Sequence, residues 1–291
     1  LKVSTMFQPP SGTTNQRPPA KPGALFYNFD LKTIEFFDGS SWRQVENKTT
    51  RGRGIAAGGE GPNKDIEFIN IQSRGNSTSF GDLTANRANA GAVSSGIRGI
   101  YAGGEPATDL IQYITIASEG DAIDFDGNLS ASRRFVTGCS SSTRGIFVGG
   151  NPGVNIMDYV EIMTLGNALD FGDLTEIKST PGAVSIGTRG VFTGGAISTY
   201  VSNIDYMTIA SKGDAKIFGD LAVTTNRPAS FSNRVRGFSS GGPSNGGYVN
   251  VIQFITIAST GNATVFGDLS NKVRSPGGTS NQTRGIIAGG L

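Results

Sequence analysis

The octet "TRGIFVGG" at residues 143–150 decides how this chain is read, because five close copies accompany it. They are "GRGIAAGG" (52–59), "IRGIYAGG" (97–104), "TRGVFTGG" (188–195), "VRGFSSGG" (235–242) and "TRGIIAGG" (283–290). Their arginines, Arg53, Arg98, Arg144, Arg189, Arg236 and Arg284, are separated by 45, 46, 45, 47 and 48 residues. A period of that size fits a unit of four short strands, too small to bury a core alone and stable only against its neighbours.

Three further anchors recur within each period. An apolar segment is built around an aromatic residue: Phe68, Tyr113, Tyr159, Tyr206 and Phe254. A glycine follows at Gly75, Gly120, Gly166, Gly213 and Gly261, and then "FGDL", written "FDGNL" at 125–129. The aromatic precedes the Phe of the last anchor by 12 residues every time. Most length variation falls just after the Gly-Gly pair, so the rest of the unit is rigid in register. Four strands follow: a, the small apolar stretch before the octet; b, the octet; c, the aromatic segment; d, the stretch ending in "FGDL". The recurrent glycine belongs in the c–d hairpin, where a positive φ costs only glycine little. No window repeats apolar residues at three-to-four spacing, so helix should be nearly absent.

Tandem four-stranded sheets are expected to close into a ring of radial blades, a β-propeller, with strand b innermost. Six b strands accompany only five c and d strands. Residues 23–50 hold a hairpin whose "TIEFFDG" (33–39) looks like the c strand "DIEFINI" (65–71). It is expected to pair with "TRGIIAGG" and complete a sixth blade, joining both ends of the chain. A five-bladed ring with a separate hairpin is the alternative. The Pro-rich, polar residues 1–22 read as an extended arm, and residues 51–291 as the repeats.

The order of a b strand ending in Gly-Gly, an aromatic in the next strand, and "GDLTANR" (81–87) or "GDLAVTTNR" (219–227) resembles the kelch propeller family over about residues 53–290. It departs from the family in writing Phe where kelch motifs usually write a last Trp. The resemblance implies a propeller that binds through loops on one face, and no chemistry. The N-terminal hairpin resembles a short segment of tailed-phage fibre and other virion proteins, carried here by Gly23, Leu25, Tyr27, Asn28, Asp30, Glu35, Asp38, Gly39 and Trp42. The phrase "IDYMTIASKGDAKIFGDL" (204–221) is similar to phrases in structural proteins of marine and cyanobacterial phages. These resemblances imply a virion component on capsid, neck or tail, acting as decoration, fibre or receptor-binding module. The arm would dock on other virion proteins, and the loops on a host-surface glycan or protein; a homo-oligomer is also open. The alternatives are a carbohydrate-active propeller enzyme and a bacterial kelch-like lectin or scaffold.

Composition narrows the chemistry. The chain has no His and a single Cys, which excludes Ser-His-Asp and Cys-His nucleophiles, a Cys/His zinc cluster and an internal disulfide. No catalytic residue, metal or cofactor is therefore expected. Cys139 falls at the position of Ala92 and Val184 and reads as a small buried side chain. Net charge is +2 with arginines dispersed at repeat spacing, unlike a nucleic-acid footprint. No apolar run reaches bilayer length, so no membrane insertion is expected, and the first residues lack a secretory signal.

Carboxylates remain as candidate catalysts, yet the Asp of "FGDL" (Asp82, Asp173, Asp220, Asp268) recurs at one structural register, which favours a turn or ion-pair role. The cations after it, Arg87, Arg134, Arg227 and Arg274, with Lys178 in one repeat, are expected to pair with it across the d–a connection. The octet arginines should cover apolar surface with their stems and bond carbonyls with their heads. The b–c loops vary most, and variable loops on a rigid scaffold carry function. Tyr200 and Tyr248, with Asn151 and Asn245, are the candidate contact residues, an exposed aromatic being able to stack on a sugar or fill a protein pocket.

Overall fold

The computed structural model describes residues 8–30, 33–44, 52–59 and 63–290, and the chain divides into two units, Leu1–Thr49 and Thr50–Leu291. Its described residues are all-β, with one 3-10 turn at Thr14–Gln16 and no α-helix.

In the first unit β1 (Ser11–Gly12), β2 (Leu25–Asn28), β3 (Thr33–Phe37) and β4 (Trp42–Gln44) form one sheet in that order, β1 lying parallel to β2 and the rest antiparallel. The hairpin is therefore flanked on both sides within its own sheet. Within the second unit the last octet pairs with the strand before it. The stretch read as an extended arm is tied to this sheet at Ser11–Gly12 and at Arg17. Arg17 forms a two-pronged ion pair with buried Glu35 at 2.9 and 2.6 Å, and Asn28 Nδ2 donates to the same carboxylate at 3.0 Å. Residues 1–7 and 45–51 lie outside the described residues.

In the second unit the repeats form six consecutive sheets. Sheet one holds β5 (Arg53–Ala57), β6 (Asn63–Asn70) and β7 (Thr78–Arg87). Sheet two holds β8 (Gly91–Ser94), β9 (Arg98–Ala102), β10 (Thr108–Thr115) and β11 (Ile123–Arg133). Sheet three holds β12 (Thr137–Ser140), β13 (Arg144–Val148), β14 (Val154–Glu161) and β15 (Leu169–Lys178). Sheet four holds β16 (Gly182–Ile186), β17 (Arg189–Thr193), β18 (Asn203–Thr208) and β19 (Lys216–Asp220). Sheet five holds β20 (Ala229–Ser232), β21 (Arg236–Ser244), β22 (Gly247–Thr256) and β23 (Thr264–Asp268). Sheet six has only β24 (Gly277–Ser280) and β25 (Gly285–Ala288). Sheets two to five are complete a-b-c-d meanders, antiparallel throughout; sheet one has b-c-d and sheet six a-b.

The constant spacing from aromatic to Phe has a packing cause. In every pair the two rings meet edge to face, 5.9–6.2 Å apart, as Tyr159 on Phe171 and Tyr206 on Phe218 do. A c–d bulge sits at the residue before the aromatic, and the "FGDL" glycine answers it with a positive φ at Gly81, Gly172 and Gly219. The same glycine leaves room for the next sheet's c–d turn: a Cβ at Gly81 would overlap the carbonyl of Gly120. Sheet two spells the phrase "FDGNL" with one extra residue, which Asp126 absorbs at φ 55°, while Gly127 keeps the close approach to Gly166.

The expectation that strand b lies innermost is corrected. Neighbouring sheets converge along their a strands, whose Val93, Cys139, Val184, Phe231 and Thr279 line a cavity of about 280 Å³. The octet lies one strand outward, and its first glycine seats beneath the preceding a strand: Gly145 under Val93, Gly190 under Cys139, Gly237 under Val184, Gly54 under Thr279. Sheet six thus meets sheet one through β24 against β5, the strands each possesses there. Serines join the a strands in series. Ser140 Oγ donates to Ser94 O, Ser185 to Ser140 O, Ser232 to Ser185 O and Ser280 to Ser232 O, at 2.7–2.9 Å.

Candidate functional site

An octet arginine can perform two tasks, and Arg53, Arg98, Arg144 and Arg189 perform both. Its guanidinium lies over the c-strand aromatic of its own sheet, 4.0–4.6 Å from the centroid for Arg53, Arg98, Arg144, Arg189 and Arg236. Nη1 then donates to the carbonyl that ends the next sheet's c strand: Arg53 to Ile116, Arg98 to Ile162, Arg144 to Ile209, Arg189 to Ile257, at 2.8–3.0 Å. Arg284 makes the same bond to Ile71 of sheet one at 3.0 Å. These arginines are joints between sheets.

A second set of joints carries charge into the core. The residue before the c-strand aromatic is Glu67, Gln112, Asp158, Asp205 or Gln253. Four of these five, all but Glu67, are fully buried and receive donors from the preceding sheet's d strand or, for Gln253, from Val223 just after it. Arg133 pairs with Asp158, and Lys178 Nζ with Asp205 at 2.7 Å, every partner buried. Burial pushes the Arg133 pKa down while Asp158 draws it up, and the net direction is down. The expected pairing of d–a arginines with the "FGDL" aspartates does not occur among the described ion pairs. Asp82 pairs with Lys64 at 2.8 Å, Arg134 with Glu105 at 2.6 Å, and Asp220 accepts from Ser202 at 3.1 Å. The true partners were legible as a cation four residues after the "FGDL" leucine facing an acid before the next aromatic. The backbone amides of Asp82, Asp173 and Asp220 donate to an Asp or Asn side-chain oxygen of the next sheet's turn.

The b–c loops and d–a connections share one face, tied by bridges between Ala88 and Glu105, Arg134 and Asn151, and Ser179 and Ala196. Asn151 is engaged there by backbone. Loops of sheets four and five fuse into a ledge: Tyr200 N donates to Asn245 Oδ1 at 3.3 Å and Asn245 Nδ2 to Tyr200 O at 3.1 Å. Strands β21 and β22 extend past the other sheets as a hairpin pairing Pro243 with Tyr248, which leaves Tyr248 about half exposed (47%); Ile197 in the loop of sheet four is exposed as well (49%). The structure brings Tyr200 and Asn245 together and sets Tyr248 on the adjoining hairpin; Asn151 belongs to the loop of sheet three. At the far end of the a strands, Ser95, Ser141, Ser142, Asn233, Arg234 and Gln282 line a polar recess of about 330 Å³.

Cys139 is buried among the a strands, its thiol pushed up to about 12 by burial. It pairs with Ile146 as Val93 pairs with Ile100, so Val93, not Ala92, is its counterpart in sheet two. Among the described residues no three His, Cys, Asp or Glu cluster as metal ligands, and no helix is long and apolar enough to cross a membrane. Fold and site together define an all-β protein of tandem antiparallel sheets joined by arginine, serine and buried ionic contacts, with a loop ledge on one face. Searches of protein families and of curated proteins find no match to this chain.

Proposed function

We propose that the unit Thr50–Leu291 is a six-bladed β-propeller that works without catalysis as a binding and structural module of a tailed-phage particle. What carries the propeller reading is the bond from Arg284 to Ile71, because it repeats between the last sheet and the first the joint that links consecutive sheets. The module reading is supported by where the polar residues are spent: the recurring Arg, Asp and Ser build joints, while the irregular residues collect on the loop ledge. Tyr248, on the hairpin that carries Asn245 of the Tyr200–Asn245 pair, offers an exposed aromatic of the kind that stacks on a sugar ring or seats in a protein pocket. The virion assignment rests on the resemblance of the N-terminal hairpin and the repeat phrase to phage structural proteins.

The test is quantitative mass spectrometry of purified particles from a lysate in which this chain is expressed. A fixed copy number per particle is the expected result, and absence from the particles overturns the virion reading. On the same particles, Tyr248→Ala should weaken attachment to host cells at least tenfold if the ledge is the contact.

A further inference from the structure

We infer that Asn245 is a self-modifying latch. As an amide its side chain ties the loops of sheets four and five, and attack by its own neighbour Gly246 converts it to an acid that cannot retie them. The modification concerns the ledge alone and goes beyond the virion reading, on which it does not depend. Of the asparagines in the chain, only Asn245 is followed by glycine. Glycine has no Cβ to hinder its amide nitrogen from closing on the side chain before it. Asn245 and Gly246 form the turn between β21 and β22, bracketed by the pair Ser244 and Gly247, and both are exposed. Gly247 closes this turn at a φ of 112°. The Gly246 N–H donates to no acceptor among the described residues, so no hydrogen bond has to break before that nitrogen reacts.

The step needs no reagent but water and hydroxide. Hydroxide takes the proton of the Gly246 amide, and the nitrogen bonds to Asn245 Cγ, closing a five-membered ring. The bond from Cγ to Nδ2 breaks, and that nitrogen takes up a proton from water and leaves as ammonia. Water then opens the cyclic imide. Cleavage between the imide nitrogen and Cγ leaves aspartate. Cleavage between the same nitrogen and the main-chain carbonyl carbon leaves isoaspartate, with the backbone routed through the side chain. One amide becomes one carboxylate, and nothing is oxidised or reduced.

What the conversion destroys is the tie to the loop of sheet four. Asn245 Oδ1 accepts from Tyr200 N at 3.3 Å while Nδ2 donates to Tyr200 O at 3.1 Å. An amide suits a neighbouring backbone N–H and C=O because it carries both an acceptor and a donor, whereas a carboxylate only accepts. After conversion an oxygen faces Tyr200 O where Nδ2 stood, and attraction there becomes repulsion. Among the described hydrogen bonds no other joins residues 196–203 to the hairpin, so that loop is released. The tie also governs the rate. While Tyr200 holds both ends of the amide, the side chain is not free to turn toward the Gly246 nitrogen. Conversion therefore proceeds when the two loops part, and each conversion leaves the ledge open and one negative charge richer beside Tyr248.

The test follows the folded 291-residue chain over time at pH 8, digesting samples and reading amide-to-acid conversion at each asparagine by mass spectrometry. Asn245 should convert at least tenfold faster than exposed Asn271, which precedes a lysine, and faster still as pH rises. Gly246→Ala should slow it at least tenfold; a Cβ there meets no atom of the chain, so that variant folds. Conversion no faster than at Asn271, or seen only after unfolding in urea, overturns the modification site. The latch is read separately, by hydrogen exchange at the Tyr200 amide. Asn245→Asp, an exposed change that leaves the core alone, should speed that exchange at least threefold, and the converted chain, separated by ion exchange, should match it. Unchanged exchange in Asn245→Asp overturns the latch. None of these readouts uses particles or host cells, so failure here and failure of the virion reading are distinct.

Discussion

Arg144 shows how one side chain can hold two sheets. Its stem crosses the Tyr159 ring, its fork reaches Ile209 O, and Nε and Nη2 take Glu161 at 3.0 and 2.8 Å. A lysine keeps the charge but not the planar fork. Arg144→Lys should therefore cost about 1–2 kcal/mol, the sum of a partly exposed cation–π contact and a charged hydrogen bond, read as a shift in the urea midpoint. The buried pair behaves differently. Asp158→Ala strands Arg133 in the core and should cost about 3–5 kcal/mol, whereas Arg133→Met with Asp158→Leu together should restore most of it. A double variant as unstable as the single one would mean that the pair contributes more than charge neutralisation. These side chains were half legible. The octet arginine announces itself by recurrence, but its carbonyl partner lies some 63–68 residues away and no local pattern points there. The serine ladder was overlooked because serine before Arg reads as turn chemistry; its recurrence four residues before every octet arginine from Ser94 on was the available signal.

At the scale of an element, the N-terminal hairpin is held by one buried carboxylate. Burial raises the Glu35 pKa, but the bonds from Arg17 and Asn28 outweigh it, so the folded value lies below the ordinary 4.5. A depressed carboxylate contributes stability that is fully present above the unfolded pKa and fades as pH falls through the folded one. The only Trp of the chain, Trp42, packs on Phe26 and Phe37 and so reports on this unit. Its fluorescence should hold constant above pH 4.5 and shift on acidification below it; Glu35→Gln should flatten that step and lower the unit's melting temperature at pH 7. A step unchanged in Glu35→Gln would assign it to another acid, Asp38 being the nearest candidate, since bonds from Arg43, Ser41 and Ser40 hold its pKa far below the usual range. The strands of this hairpin were legible from alternation and the "DGSS" turn. What flanks them was not: β1 is two residues long, and residues 8–22 are ordered by Arg17 meeting Glu35 across 18 positions, beyond any periodicity.

For the whole repeat unit, closure is the property that no single sheet possesses. Four strands per period were readable because glycine turns and paired rings repeat with the sequence. Which strand lies innermost was not, because a and b are both short, small and apolar, and only contact between sheets separates them. If the joint between sheets six and one closes the unit, breaking it converts a loop of mutual support into an open stack that frays from its ends. Cys139 reports such opening. Its thiol is buried in the second a strand from that joint's intact side, and with a pKa near 12 the thiolate is about one part in ten thousand at pH 8. Labelling by an aromatic disulfide reagent should therefore be limited by how often the a strands part. Arg284→Ala removes the bonds to Ile71 O and Gln72 O at 3.0 and 3.1 Å. It should speed labelling at least tenfold in native buffer, more than Arg236→Ala, whose head bonds no described neighbour across a sheet boundary. Equal rates in the two variants would mean that the contact between first and last sheets carries no more strain-bearing role than an open edge, and the closed reading of the unit would fall with it.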